Sequence, residues 1–95
     1  MGARLVLRNK KVKRGPIIEM VIWELDTPVS GCSHRFKYRL FCGRLETGTC
    51  LIRYDNERGK GDHRHVTDEE HPYDFTSLEK LFSDFEKDVR EALQQ

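Results

Sequence analysis

With 95 residues, 37% hydrophobic and 35% charged, the chain has material for one domain (residues 1–95) with a small core and a polar surface. No apolar run approaches the roughly 20 residues of a membrane span and the amino terminus lacks a signal-peptide pattern, so the expectation is a cytoplasmic protein without membrane contact. The net charge of +1 hides a division: residues 1–65 hold 14 Lys and Arg against 7 Asp and Glu, whereas residues 66–95 hold 3 against 9.

The first expected strand runs from Arg4 to Asn9 around Leu5, Val6 and Leu7, and leads into a basic turn, Lys10 to Pro16. Ile17 to Leu25 is dense in β-branched and apolar residues, with Ile18, Met20 and Ile22 on one face and Val21, Trp23 and Leu25 on the other. That two-sidedness is the pattern of a central strand. Asp26 to Gly31 reads as a turn-rich loop. From His34 to Cys42 the alternation is cleanest: Phe36, Tyr38, Leu40 and Cys42 face one way, Arg35, Lys37 and Arg39 the other. Gly43 to Gly48 is hairpin-loop material. Thr49 to Tyr54 returns with Cys50, Ile52 and Tyr54 on one face and Leu51 and Arg53 on the other, which puts Arg53 beside the cationic row.

Residues 66–75 read as a connecting loop. Thr76-Ser-Leu-Glu79 has the form of a capping box, and Leu78, Leu81, Phe82, Phe85, Val89 and Leu93 then recur at helical spacing as a core-facing stripe. The expected architecture is α+β: an antiparallel sheet of about four strands packed on one long C-terminal helix. The alternative adds a fifth strand near His63–Val66, with His63 and His65 pointing one way and Arg64 the other. Three cysteines at irregular spacing match neither a disulfide framework nor a zinc signature, and Cys42 and Cys50 read as small core residues.

The segment Arg53 to His65 gathers Arg53, Arg58, Lys60, Arg64, His63, His65, Asp55, Glu57 and Asp62 around Gly59 and Gly61, with almost nothing apolar. One reading is a charged, solvated loop. The other is chemistry: histidines beside cations and a carboxylate are what proton transfer on a phosphate ester requires. For His63 and His65 three roles stand open. They are idle surface groups, or metal ligands with Asp62 or Asp55, or an acid–base pair acting on RNA. In the last, Lys60 and Arg64 stabilise the phosphorane and Asp62 or Asp55 orients an imidazole. Acid–base chemistry ranks first and metal last, because Lys60 and Arg64 crowd out a cation. No cofactor is expected. Arg35, Lys37, Arg39, Arg53 and Arg58 are the candidate RNA-binding residues. Outward charges protect exposed strands in any case, but that role expects mixed signs, and these are all cations.

As a whole the chain resembles the TumE family of toxins from type II toxin–antitoxin pairs. The resemblance runs from residue 3 to residue 90, through Ile18-Glu-Met-Val-Ile-Trp23, His34-Arg-Phe-Lys-Tyr-Arg39 and Arg53-Tyr-Asp-Asn-Glu57. Gly59-Lys-Gly-Asp-His-Arg-His65, Pro72-Tyr and a helix beginning near Ser77 complete it. It implies a helix-turn-helix antitoxin as partner. It also implies RNA as target, ribosome-bound mRNA included, since small sheet-bearing toxins with a basic face are frequently ribonucleases. A non-catalytic module that blocks RNA or protein is the competing implication.

Overall fold

The computed structural model describes residues 2–12 and 15–94, so Lys13 and Arg14 of the expected basic turn lie outside the described residues. Six strands form one antiparallel sheet in chain order: β1 (Ala3–Val12), β2 (Pro16–Leu25), β3 (Phe36–Arg44), β4 (Cys50–Glu57), β5 (Gly61–Val66) and β6 (Glu69–Pro72). One helix, α1 (Leu78–Leu93), packs across the sheet, chiefly on β4. The α+β class and the single C-terminal helix stand as expected. The strand count does not, for there are six rather than four or five.

Three local departures separate the observed strands from the expected ones, the second and third of them adding strands. First, β1 continues through Val12, because Lys10, Lys11 and Val12 pair in register with Glu19, Ile18 and Ile17 across the hairpin. Second, the Arg53–His65 segment is mostly a hairpin: β4 runs on to Glu57, only Arg58–Lys60 turn, and Glu57 pairs with Gly61. Third, residues 69–72 form β6 where a loop was expected, paired with β5 through Val66↔Glu69 and His65↔Glu70. This last hairpin turns on Thr67 and Asp68, with Thr67 in the left-handed region at φ 51.

The core lies between α1 and one sheet face. Ile22, Tyr38, Leu40, Cys42, Ile52 and Tyr54 supply the sheet side, and Leu81, Phe85 and Val89 the helix side. Leu93, at the end of the expected stripe, stays 42% exposed. A register shift pairs Cys42 with Ile52 but Gly43 with Cys50, leaving Leu51 between them buried. The strict alternation expected from Cys50 to Tyr54 is therefore broken at Leu51. The helix cap also sits one residue later than the capping box implied. Ser77, not Thr76, is extended at φ −160, and its hydroxyl accepts from the Lys80 backbone N–H at 3.1 Å. A Ser cap is at least as good as Thr, and the third helical residue is then Lys80 instead of the glutamate a box needs.

A β-branched residue held at positive φ costs about 1 kcal/mol or more, a strain that Asn tolerates far better. Thr67→Asn is therefore expected to raise the free energy of unfolding by roughly 0.5–1 kcal/mol, read as a higher urea midpoint at unchanged slope. A midpoint that stays put or falls would show that the turn stores no such strain.

Candidate functional site

Strand periodicity assigns every side chain of the β3–β4–β5 region to the helix side or to the open side of the sheet. On the open side Asp55 sits between Arg39 of β3 and His63 of β5, and one pair further along Arg53 sits between Phe41 and His65. Arg53 Nε lies 3.4 Å from Asp55 Oδ2, and His63 Nδ1 lies 3.9 Å from Glu70 Oε1 of β6. The site is only partly wet: the side chains of Asp55 and His63 are 16% and 11% exposed. Among the described residues, three nitrogens there are buried without a hydrogen-bonding partner: Arg53 Nε, His63 Nε2 and His65 Nδ1.

The helix side takes the other residues of β5. Arg64 forms a two-pronged bridge to Asp88 of α1, Nε to Oδ2 at 2.6 Å and a terminal nitrogen to Oδ1 at 2.8 Å. The buried Tyr54 hydroxyl donates to the same Asp88 carboxylate, and Arg64 Nε lies 2.9 Å from that hydroxyl. Burial and the Asp88 carboxylate push the Tyr54 phenol far above its usual range, and the Asp88 bond holds Arg64 charged. Asp62 also turns inward, where Oδ2 accepts from the Tyr38 hydroxyl and meets His34 Nε2, both at 2.7 Å. Burial, reinforced by Asp62, likewise raises the Tyr38 phenol far above its usual range, so it stays a donor.

Cys32, His34 and Asp62 bring three potential metal-ligating atoms within 4.8 Å of one another. The hydrogen bonds speak against a metal there. The Phe36 backbone N–H donates to His34 Nδ1 at 3.1 Å, so the imidazole proton resides on Nε2 and points at Asp62. A metal would need the Nε2 lone pair and would strand the Phe36 donor. Burial also raises the Cys32 thiol, with Asp62 adding to the shift against an opposing bond from Asn56. The His34 ring instead stacks on Phe75 at 3.8 Å between centroids. This cluster is scaffold. It braces the loop before β3 against the β4–β5 turn, where Gly59 N–H donates to Ser30 O at 2.7 Å. A Cβ on Gly61 would stand 3.0 Å from Gly31 O, and Gly61 has φ 81, so this close approach requires glycine.

Of the expected acid–base set, the fold brings His63, His65 and Asp55 together on the open face and places Asp62 and Arg64 on the opposite one. Lys60 sits at the turn, 3.9 Å from Glu57 Oε2, and exposed Arg58 stands beside it. Of the expected RNA-binding row, Arg39 and Arg53 join the site. Lys37 shares their face but donates to the Asn56 carbonyl, and Arg35 lies at the sheet end, 4.0 Å from Glu24. Sequence reasoning missed Glu70, hidden in a segment without strand character, and Trp23, whose parity with Val21 already set it opposite Ile22.

Comparison with family models matches residues 2–93 to the model described as Toxin TumE, and the chain belongs to that family. It is thus a toxin of a toxin–antitoxin system, and the family implies an antitoxin partner. Neither curated proteins nor solved structures return a match. No helix among the described residues is long and apolar enough to cross a membrane.

Two expectations follow from the helix-side network. Asp88→Ala leaves the Arg64 guanidinium and the Tyr54 hydroxyl without their shared acceptor. It should cost roughly 2–3 kcal/mol of stability, discounted because Arg64 is partly solvated. An Asp88→Ala variant with the parent's denaturation midpoint would remove this pair from the scaffold. Asp84 is the pH-sensitive counterpart. Burial works to raise it, but bonds from Lys80 and Tyr73 outweigh that, leaving its carboxyl below the usual 3.8. A depressed folded pKa supplies stability that is present above pH 3.8 and fades as pH falls through the folded value. Asp84→Asn should therefore flatten the acid limb of a stability-against-pH curve, and an acid limb identical to the parent's would refute the assignment.

Proposed function

We propose that this TumE-family toxin cleaves RNA by metal-independent acid–base chemistry on the open sheet face, with His63 and His65 as the proton-transfer pair. The observation that carries the reading is a pair of buried imidazole nitrogens on that face with no hydrogen-bond partner among the described residues, His63 Nε2 and His65 Nδ1. They stand beside Arg53, whose buried Nε makes no hydrogen bond and meets Asp55 only at ion-pair distance, 3.4 Å. Folded proteins satisfy nearly all their buried polar groups, and the exceptions concentrate where a ligand or reaction completes them. Here three donors or acceptors share one patch beside Asp55.

Spacing supports the pairing. Residues two apart on a strand lie about 6.6 Å from each other, room for a phosphate between two imidazoles. One neutral imidazole takes the ribose 2′-OH proton as the 2′ oxygen attacks phosphorus. The P–O5′ bond breaks, and the other, protonated imidazole delivers its proton to the departing 5′ oxygen. The products are a 2′,3′-cyclic phosphate and a 5′-hydroxyl. Arg53 and Arg39 stabilise the charge gathering on the phosphorane, with Lys60 and Arg58 receiving flanking phosphates at the turn. Asp55 holds Arg53 in the patch. Arg64 and Asp62 act as positioning residues, through their bonds to Asp88, His34 and Tyr38.

On this reading the antitoxin, a helix-turn-helix protein by the resemblance, neutralises the toxin by covering the open face or the β4–β5 turn. The work is done in the cytoplasm, where mRNA and ribosomes are found. A toxin that only blocks its target would use the same basic face without proton transfer.

His63→Ala and His65→Ala are each expected to lower the cleavage rate roughly 10²–10⁴-fold while leaving RNA affinity nearly unchanged and the fold intact. The parent should yield cyclic-phosphate ends, keep its activity in chelator and follow a bell-shaped pH profile around neutrality. Full activity in both variants would remove the histidines from the chemistry. Loss in chelator with recovery on adding a divalent ion would make them ligands. Binding without cleavage by the parent protein would leave the blocking function.

A further inference from the structure

The open face carries more than cations. Trp23 of β2 and Phe41 of β3 lie on it: Phe41 stands between the core residues Leu40 and Cys42, and Trp23 follows the core residue Ile22. Each ring is attended by an arginine: Arg8 lies 5.9 Å from the Trp23 centroid and Arg39 lies 4.7 Å from that of Phe41. Phe41 is also laid down deliberately. A Cβ at position 43 would fall 2.6 Å from Phe41 Cζ and 2.8 Å from Cε2, so the ring crosses the strand over the space that Gly43 leaves. Gly43 has no positive φ, so its lack of a side chain serves the ring and not a backbone turn.

An aromatic pair of this kind is ordinarily core, yet α1 covers the other face of the sheet, and no described element packs over this one. Trp23 pairs with Lys37, and Phe41 pairs with Glu19 and Arg53. Trp23 also pairs with Leu5 of β1, so Phe41 is flanked by charge on both neighbouring strands and Trp23 on one. In register the two rings are four positions apart, roughly 13 Å along the strands, with Arg39 midway.

We propose that Trp23 and Phe41 are base-stacking positions, and that the substrate is single-stranded RNA threaded across the sheet toward His63 and His65. The assignment rests on the RNA reading of the open face and specifies its substrate class. Any base offers a π face to an aromatic ring, so the site is tolerant of sequence. Bases inside a duplex are stacked on one another and offer no such face, so the site selects against double strands. A base arriving at Phe41 takes the ring face that Arg39 covers, and the released guanidinium meets the adjoining phosphate. Trp23 and Phe41 are too far apart for neighbouring bases, so the strand skips over the Arg39 position between them.

Trp23 is the sole tryptophan, so its emission reports the site directly. The probe is a short unpaired oligoribonucleotide with 2′-O-methyl groups, which cannot be cleaved through the 2′ oxygen, compared with a blunt duplex of equal length. The single strand should quench Trp23 emission along the same saturation curve as its anisotropy, and the duplex should bind more weakly and leave emission unchanged. Trp23→Leu and Phe41→Leu, which keep apolar volume and are checked for folding by circular dichroism, should each weaken single-strand binding about tenfold. The slope of affinity against salt should stay as in the parent, because no phosphate contact is removed, whereas Arg39→Gln should reduce it by about one. Single-strand binding without quenching, equal duplex affinity, or Leu variants with parental affinity would each overturn the stacking assignment and leave RNA recognition standing. Failure to bind either nucleic acid would overturn both. Quenching by the methylated strand together with an uncleaved unmodified strand would keep the stacking site and remove the ribonuclease reading alone.

Discussion

The bridge between Arg64 and Asp88 decides which way β5 faces. Successive side chains on a strand alternate sides, so anchoring Arg64 to the helix commits His63 and His65 to the open face. A slip of one residue in β5 would exchange the two sets, burying imidazoles against Tyr54 and Phe85 and exposing an arginine in their place. The bridge resists that slip because Asp88 is almost fully buried and already holds the Tyr54 hydroxyl. Removing Arg64 would leave a buried carboxylate underpaired, a much larger loss than an exposed ion pair represents. A residue that looks catalytic in the sequence thus contributes by fixing the register of those beside it.

The far end of the same hairpin is held by a second buried polar network. Asn56, with no exposed surface, accepts from the Tyr38 backbone N–H at 3.0 Å and donates to the Phe36 carbonyl at 2.6 Å. Asp62 joins Tyr38 and His34, and His34 in turn satisfies Phe36. Every member has its partner, the condition under which a buried polar network specifies one arrangement instead of weakening the core. With Asp88 at one end of the hairpin and Asn56 and Asp62 at the other, the strand carrying the histidines is pinned on both sides.

What the sequence disclosed follows the strength of its periodicity. β3 and α1 announced themselves because each buries one clear face, β2 by its density of β-branched and apolar residues, and the parity of Arg39 and Arg53 came with β3 and β4. The His63–Arg64–His65 alternation could be read as a strand only as an alternative, since β5 holds a single aliphatic side chain, Val66. Residues 69–72 carry two glutamates, a histidine and a proline, and form an edge strand through backbone pairing alone; short, charged and proline-bearing edges resist further pairing. No apolar pattern could have flagged them. The bulge at Leu51 and the choice of Ser77 over Thr76 depend on contacts made only after folding. The inward turn of Asp62 was equally hidden, because its partners His34 and Tyr38 are more than twenty residues away.

The basic half of the chain supplies an excess of cations on the open face of the sheet. Arg8, Lys10, Lys37, Arg39 and Arg53 share the open face with the acids Glu19, Asp55 and Glu57, while Glu79, Glu86 and Glu91 are matched by Lys80, Lys87 and Arg90 on the exposed surface of α1. The cationic excess thus lies on the open face, while the exposed charges of α1 balance. A chain with a net charge of only +1 thus gathers cations on one face. The one-helix architecture accords with this: a second helix over the open face would bury the histidines, the arginines and both aromatic rings together. The exposed face is costly for so small a protein, because Trp23 and Phe41 lose part of the burial they would gain in a core. Stability is recovered by polar networks on the helix side, and the open face keeps two buried imidazole nitrogens without a hydrogen-bond partner among the described residues.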